Sequence, residues 1–253
     1  MYPLPDVQRQ DVDFGLHLTF WRESVPETKE TFTTNRLLGA LPRKDYERLL
    51  PALEPIPLAF GTVLTEPGDR IRHVYFPVDS LVSLLTMVDS RKAAEVGLIG
   101  SEGMVGLPVA LGVNISPIRA VVQGSGTAVR MDSARFSGEL RRIFSLQREL
   151  LRFTHSLMAQ ISQTAACNRF HTVGQRLARW LLMTRDRVRS NQFRLTHEFL
   201  AHMLGVRRVG VTQAASALQQ RKLIRYSRGN ITILDEAGLV AAACTCYEAV
   251  KTF

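Results

Sequence analysis

The side chains with the clearest chemical purpose lie close together in residues 193–234. Arg207 and Arg208 stand at the start of a predicted helix, and Val209 and Gln213 follow on its exposed side. An arginine can donate two hydrogen bonds to guanine, a glutamine can pair with adenine, and a valine can contact the methyl group of thymine. This combination predicts a helix that contacts base edges in the major groove of DNA.

Two helices and a hairpin are predicted to position these side chains. Thr196 is a favourable N-cap for a first helix, and Gly205 ends that helix with a tight turn. The second helix follows directly and buries a stripe of small and aliphatic residues. The next segment, LIRYSRGNITIL, predicts two strands that turn at Arg228, whose side chain would reach the DNA backbone or minor groove. Two short helices followed by a hairpin predict a winged helix-turn-helix.

The positive charge of the chain is concentrated in its second half. The 253 residues carry 32 Lys and Arg against 23 Asp and Glu. Residues 1–140 have a net charge of −3, whereas residues 141–253 have a net charge of +12, from 18 basic and 6 acidic residues. A region this positive favours a polyanionic partner, which supports the prediction of DNA binding.

The residues before this region predict an arm and a β-roll. Residues 1–34 show no sustained period and are interpreted as an arm, and residues 35–53 predict two short helices. Residues 54–131 contain short β-branched runs separated by turn residues, which is typical of an antiparallel, jelly-roll-like β-roll. We therefore predict a β-roll domain over residues 35–138.

Residues 139–168 predict one long helix with a narrow apolar stripe. A stripe of this kind needs a partner and favours a dimer joined along the helix. The alternative is that the helix packs against its own β-roll. Residues 169–253 would then form the DNA-binding domain. The predicted dimer-interface residues are Leu146, Leu150, Phe153, Leu157 and Ile161.

Enzyme or metal chemistry is not indicated by the residues. Only His73 of the six histidines lies in the predicted roll, which argues against a metal site of the cupin type there. Cys167, Cys244 and Cys246 are too few and too unevenly spaced for a disulfide framework or a zinc site. We interpret them as packing residues. The alternatives are metal binding or oxidant sensing by Cys244 and Cys246, and a redox role for Cys167. The sequence thus predicts no catalytic residue, no metal and no cofactor.

Membrane insertion and secretion are not indicated either. No apolar run approaches the roughly 20 residues that cross a bilayer. The first residues, MYPLPDVQRQDVDF, contain acids where a secretion signal has a basic and then an apolar segment. We expect a soluble, cytoplasmic protein.

The order of elements and four stretches of sequence resemble the Crp/Fnr superfamily of bacterial transcription regulators. The stretches are HVYFPVDSLVSL, VGLIGSEGMVG, GQRLARWLL and LTHEFLAHMLGVRR, and the resemblance covers about residues 36–250. It implies a homodimer with an amino-terminal sensor roll and RNA polymerase as a candidate partner. Thr196 and His197 would contact the DNA backbone, whereas Arg207, Arg208, Val209 and Gln213 would face the bases. Only Arg208 retains the residue usual in the family at the last four positions.

The sensor roll departs from the cyclic-nucleotide pattern of the resembling family. Leu107 stands where a ribose-binding Glu is expected, and Ser116-Pro117-Ile118 falls where an Arg-Ser pair would hold the phosphate. Arg119 is close to that position but does not align with it. The amino-terminal region also lacks the cysteines that an iron–sulfur or haem version would need. We therefore expect no cyclic-nucleotide binding, and the effector stays open, including the absence of one.

Together these observations predict an α+β fold with an antiparallel β-roll sensor domain, a long dimerisation helix and a winged helix-turn-helix domain. The predicted function is sequence-specific DNA binding in transcription regulation, without enzymatic activity. The alternative is a metabolite-binding or enzymatic β-roll whose basic half serves as an interaction surface. The sequence leaves open the operator, and whether regulation activates or represses.

Overall fold

This computed structural model describes residues 35–88, 93–188 and 190–251. The predicted amino-terminal arm lies outside the described residues. The described chain is a β-roll, a long helix and a carboxyl-terminal helical region, and the predicted α+β class is confirmed.

Two short helices precede the roll, as predicted: α1 (Arg36–Gly39) and α2 (Arg43–Leu49), the latter continued by a 3-10 turn (Leu50–Ala52). The buried Asn35 side chain accepts a hydrogen bond from the Leu38 N–H (3.1 Å) and so caps α1. Its amide group also donates to the carbonyl of Gly103 (3.0 Å). One asparagine therefore starts the first helix and fastens it to the roll.

Seven strands and one short helix form the roll. They are β1 (Glu54–Leu58), β2 (Val63–Thr65), β3 (His73–Pro77), β4 (Leu81–Met87), β5 (Ala93–Ile99), α3 (Leu107–Ala110), β6 (Arg119–Gly124) and β7 (Gly126–Asp132).

The strands make two antiparallel sheets, with the orders β1–β7–β3 and β2–β6–β4–β5. Val74 and Phe76 alternate with half-buried neighbours along β3, so that both point into the roll. Val122 and Val129 meet them from the two sheets as fully buried residues. The alternating side chains of β3 therefore contribute to the inner face of the roll.

The long helix begins later than predicted. The chain first forms α4 (Ser133–Leu140), which the Asp132 carboxylate caps, and then α5 (Phe144–Phe170). Ile143 separates the two helices because it adopts an extended backbone and buries its side chain in the core. The predicted helix over residues 139–168 is thus two helices, and the longer one ends at Phe170.

The predicted dimer stripe is covered by the chain's own roll. Its members Leu146, Leu150, Phe153 and Leu157 are all buried in the same core cluster as the roll strands, and Ile161 is half-buried against that cluster. Four of the five residues are already packed within one subunit, so that a partner would reach little of their surface. Their role as interface residues stays a prediction. The alternative stated from the sequence, a helix packed on its own roll, is the one observed for this face.

The opposite face of α5 carries exposed apolar side chains. Phe144, Leu151 and Met158 follow one another at intervals of seven residues and are 76%, 67% and 64% exposed. A seven-residue interval keeps side chains on one side of a helix. This face, hereafter the outer face of α5, is therefore available to a partner.

The described carboxyl-terminal region after α5 contains five helices and three strands. They are α6 (Val173–Val188), β8 (Gln192–Arg194), α7 (His197–Leu204), α8 (Arg208–Gln220), β9 (Ile224–Ser227), β10 (Asn230–Ile233), α9 (Glu236–Ala242) and α10 (Cys246–Lys251).

A chain of buried hydrogen bonds joins α6 to three strands of the roll. The Trp180 indole N–H donates to Glu95 Oε1 (2.9 Å), while Glu95 Oε2 lies 2.7 Å from Ser83 Oγ. The Ser83 hydroxyl also contacts Gln123 Oε1, and the Gln123 amide donates to Thr184 Oγ1 (3.3 Å) on α6. Ser83 has one proton for two acceptors, so the chain is complete when Glu95 is protonated and donates to Ser83.

The pKa of Glu95 agrees with this arrangement. Burial raises the pKa of Glu95 to about 7, although its hydrogen bonds with Ser83 and Trp180 and the charges of Arg179 and Arg187 act in the opposite direction. The contact between the roll and α6 therefore holds a carboxyl group that titrates near neutral pH.

Candidate nucleic-acid interface

The helix-turn-helix is built as the sequence predicted. Thr196 caps α7 by accepting a hydrogen bond from the Phe199 N–H (3.1 Å), and Gly205 ends α7 in the left-handed conformation, with φ of 60°. Both helices then bury one stripe against each other and against α6. The buried residues are Phe199, Leu200, Met203 and Leu204 on α7, and Val211, Ala214, Ala215 and Leu218 on α8.

The other side of α8 faces solvent. Arg207, Arg208 and Gln213 are exposed, and Val209 is 60% exposed although it is apolar. In the described part of the chain, no carboxylate forms an ion pair with either arginine, whereas Arg185 on α6 pairs with Glu236. The four predicted residues therefore present two uncompensated positive charges, an amide and an apolar surface from one helix end.

His197 holds α7 against α8. Its Nδ1 lies 2.9 Å from Thr212 Oγ1, and its ring stacks on Tyr226 with centroids 4.2 Å apart. The Thr212 hydroxyl itself donates to the Arg208 carbonyl (3.1 Å), so His197 Nδ1 is the donor to Thr212. Burial and the nearby charge of Arg208 lower the pKa of His197. The sequence did not indicate this positioning contact, and the predicted backbone contact of His197 stays a prediction.

The wing is a three-stranded sheet in the order β8–β10–β9. Its tip consists of Arg228 and Gly229, both with positive φ (50° and 81°). Such a two-residue turn usually has Asn or Asp before the glycine, because a larger side chain is disfavoured in the left-handed region. The hairpin therefore keeps an exposed arginine at its tip despite a conformational cost.

A buried arginine fastens the helix-turn-helix to α6. Arg176 is 8% exposed, and its Nη2 donates to the carbonyl of Leu204 in the last turn of α7. The last carbonyls of a helix lack partners within the helix, so a cation there is favourable. Arg176 therefore fixes the orientation of α7, a role that charge patterning alone did not reveal.

The roll offers no arrangement that resembles a phosphate clamp at the positions compared above. The Ser116 hydroxyl is buried and donates to the carbonyl of Ile118 (2.7 Å), and Arg119 forms an ion pair with Glu66 (2.8 Å). Leu107 is half-buried at the first position of α3 and packs against the roll core. These three positions are already engaged within the protein.

The three cysteines, which the sequence led us to interpret as packing residues, meet at one place. Cys167 Sγ lies 3.5 Å from Cys244 Sγ, and Cys246 Sγ lies 3.4 Å from His171 Nδ1. The sulfur atoms of the three cysteines and the ring nitrogen of His171 all lie within 4.8 Å of one another. His171 was not singled out from the sequence, although its position four residues after Cys167, next to the end of the predicted long helix, was a usable signal.

The fold and the exposed α8 surface define a DNA-binding winged helix-turn-helix joined by a long helix to an antiparallel β-roll. Residues 175–242 match the Crp-like helix-turn-helix domain family. No curated protein sequence matches the chain significantly. Among the described helices, none is long and apolar enough to cross a membrane.

Solved structures share this fold over most of the chain. A protein from Eubacterium rectale assigned to the Crp/Fnr family is 16% identical, with a TM-score of 0.65, over 82% of this chain and 97% of that one. FixK2 from Bradyrhizobium japonicum is 12% identical, with a TM-score of 0.65, over 76% and 98%. A Crp-family transcriptional regulator from Thermus thermophilus is 19% identical, with a TM-score of 0.63, over 77% and 99%.

These identities make the likeness to the solved structures one of fold. Together with the matched domain at residues 175–242, they confirm the resemblance to the Crp/Fnr superfamily that the sequence suggested. The chain thus shares the fold of those solved structures, and its residues 175–242 match the Crp-like helix-turn-helix domain.

Proposed function

We propose that this protein is a dimeric, sequence-specific DNA-binding transcription regulator of the cytoplasm, and not an enzyme. The observation that carries the proposal is the exposed end of α8, where Arg207, Arg208, Val209 and Gln213 stand together on a Crp-like helix-turn-helix. Arginine and glutamine at this place suit guanine and adenine, and valine suits thymine. RNA polymerase is the protein partner that such a regulator would contact on a promoter.

Different side chains would read and position the DNA. Arg208 lies in the first turn of the recognition helix and would contact a base edge, whereas Arg228 at the wing tip and Thr196 at the start of α7 would contact the phosphate backbone. His197, held by Thr212 and Tyr226, would add a backbone contact while it fixes the two helices.

Dimerisation is proposed through the outer face of α5 rather than through the stripe first predicted. Phe144, Leu151 and Met158 offer an exposed apolar seam with a seven-residue repeat. Two copies packed along this seam would bury it and place two recognition helices on one side of the dimer. Half-sites about 34–36 Å apart would then be contacted in successive major grooves.

We further propose that cyclic AMP and cyclic GMP are not the effectors. A buried phosphate needs a cationic or hydrogen-bonding partner, and the loss of such a pair weakens binding by about a hundredfold. Arg119 is paired with Glu66, and Ser116 is bonded to the Ile118 carbonyl. Calorimetry is expected to show no micromolar interaction, and one-per-subunit binding in that range would contradict this part of the proposal.

The DNA-binding proposal is tested by selecting a preferred duplex from random sequences and then measuring its affinity at several salt concentrations. The affinity should fall steeply with salt, by about 0.9 log unit per log unit for each phosphate neutralised. Arg208→Ala should lose roughly 1–3 kcal/mol on the preferred duplex and less on random DNA. Arg228→Ala should weaken binding to both duplexes about equally.

Arg43→Ala is the matched control, because Arg43 is exposed on α2 and pairs with Glu47, away from α8. Its affinities should equal those of the wild type. Failure to select any preferred duplex, or affinity that does not depend on salt, would argue for the alternative of a basic interaction surface without DNA recognition.

The proposed dimer is tested with the double variant Leu151→Glu and Met158→Glu. Two charges on the outer face of α5 should convert the dimer to a folded monomer, as measured by analytical ultracentrifugation, and should weaken binding to a two-half-site duplex. Val113→Glu, which also places a charge at an exposed apolar residue but on the roll, should remain dimeric. A double variant that is still dimeric would exclude this face as the interface.

A further inference from the structure

We propose that Cys167, His171, Cys244 and Cys246 form a binding site for one zinc ion. Three thiols and one imidazole are a common ligand set of structural zinc sites. The site joins the last turn of α5 to the turn between α9 and α10. It is distinct from the DNA-facing surface and does not depend on the proposed function.

The spacing of the ligands along the chain suits a four-coordinate ion. Cys167 lies in the last turn of α5, and His171 follows directly after the helix as its C-cap. The His171 N–H donates to the Cys167 carbonyl (3.1 Å), which keeps the two residues close together. Cys244 and Cys246 flank a single residue where the chain turns between α9 and α10. Two pairs of ligands therefore approach from two separate elements, as in many structural zinc sites.

The distances between the ligand atoms also suit a single ion. With Zn–S of about 2.3 Å and Zn–N of about 2.0–2.1 Å, tetrahedral coordination keeps ligand atoms about 3.5–3.8 Å apart. Here the Cys167 and Cys244 sulfurs are 3.5 Å apart, and the Cys246 sulfur is 3.4 Å from His171 Nδ1. An iron–sulfur cluster distributes its thiolates over several iron atoms, so ligand atoms this close favour a mononuclear site.

Neighbouring groups provide the charge and hydrogen bonding that thiolates need. Three thiolates, a neutral imidazole and Zn²⁺ carry a net charge of −1. Arg176 and Arg179 are buried, line one small cavity with Cys167, and form no ion pair with a carboxylate among the described residues. The Gln163 amide also donates to Cys246 Sγ (2.9 Å). A negatively charged zinc–thiolate centre would compensate the two buried guanidinium groups.

Zinc would link the long helix to the carboxyl-terminal end of the chain. In its absence, α10 is held to the rest of the protein by contacts such as the hydrogen bond from the Tyr247 hydroxyl to Asp186 (2.9 Å) on α6. With the ion bound, α10 and the end of α5 become one cross-linked unit at the point where α5 leads into the DNA-binding domain.

The test is elemental analysis of the full-length protein, purified under reducing conditions and then incubated with equimolar Zn²⁺ and desalted. We expect one zinc per subunit in the wild type, and less than a tenth of that in Cys246→Ser and His171→Asn. His155→Asn is the matched control, because His155 is exposed on the same helix and lies 12 residues, or about 18 Å, before Cys167. This control should retain its zinc.

Substitution of the wild type with Co²⁺ provides a measurement that needs no variant. Tetrahedral d–d bands together with intense thiolate-to-cobalt charge-transfer bands would support the site, and their loss on addition of Zn²⁺ would show competition for it. A wild type without zinc or cobalt, a His171→Asn variant with full zinc content, iron as the bound metal, or a Cys167–Cys244 disulfide in the reduced preparation would each overturn the proposal.

Discussion

Replacement of Glu95 by Gln should change how the stability of this protein depends on pH. The pKa of Glu95 in the folded protein is about 7, against an ordinary value of 4.5. Between these two values the native state holds a proton that the unfolded state has lost, so the free energy of unfolding falls as the pH rises. The difference between the two pKa values corresponds to a stabilisation of the folded state by roughly 3 kcal/mol, and this stabilisation is fully lost above about pH 7.

The Gln side chain is neutral at every pH, and it can still accept from Trp180 and donate to Ser83. The variant should therefore lack this component of the pH dependence. We expect the unfolding free energy of the wild type, minus that of Glu95→Gln, to decrease by up to about 3 kcal/mol between pH 5 and pH 8. Urea unfolding at four pH values across this range, followed by tryptophan fluorescence, measures the difference.

Glu54→Gln is the control for this experiment. Glu54 is exposed, and its hydrogen bond with Arg130 lowers its pKa below the ordinary value of 4.5. Glu54 is therefore ionised in both the folded and the unfolded state from pH 5 to pH 8, and the corresponding difference should stay nearly constant over this range. If the wild-type and Glu95→Gln curves stay parallel from pH 5 to pH 8, Glu95 is charged in the native state. The protonated hydrogen-bond chain between the roll and α6 would then be refuted.

Three further substitutions test the wing, the roll and the recognition helix. Arg228→Asn should raise the unfolding free energy by about 1 kcal/mol, because asparagine tolerates the left-handed conformation, yet should weaken binding to all duplexes; unchanged affinity would remove Arg228 from the interface. Gly103→Ala should lower thermal stability by about 1–3 kcal/mol, because its Cβ would overlap the ring of Phe153; an unchanged midpoint in calorimetry would contradict the close packing of α5 on the roll. Gly210→Ala should be stabilising by up to about 1 kcal/mol, since its nearest neighbour would be 3.9 Å away, and a loss of stability in the same assay would argue against that open space.

The helix-turn-helix could be predicted almost residue by residue because its signals are local. The caps at Thr196 and Gly205 and the turn at Arg228 depend on backbone groups a few residues away. The buried stripe of α8 follows from helical periodicity, which also leaves Gln213 on the exposed side. Each of these features is encoded within one segment of the chain.

The partner of an apolar stripe is not encoded in this way. The stripe that contains Leu150 and Phe153 was predicted to face a second subunit, but periodicity shows only that a stripe is covered. The fold decided what covers it, because the roll lies on that side of α5. The outer face of α5, which includes Leu151, was overlooked because its apolar residues stand singly, at seven-residue intervals, among charged neighbours.

The sequence by itself determined the class of fold, the positive carboxyl-terminal half and the exposed residues of the recognition helix, since all three follow from composition and short-range periodicity. Only the tertiary structure placed His171 with Cys244 and Cys246, and Glu95 against Trp180, because these partners are 73 to 85 positions apart along the chain. Chain spacing carries no information about contacts of that range until the elements have packed. The titrating Glu95 and the cluster of His171 with the cysteines are therefore consequences of packing.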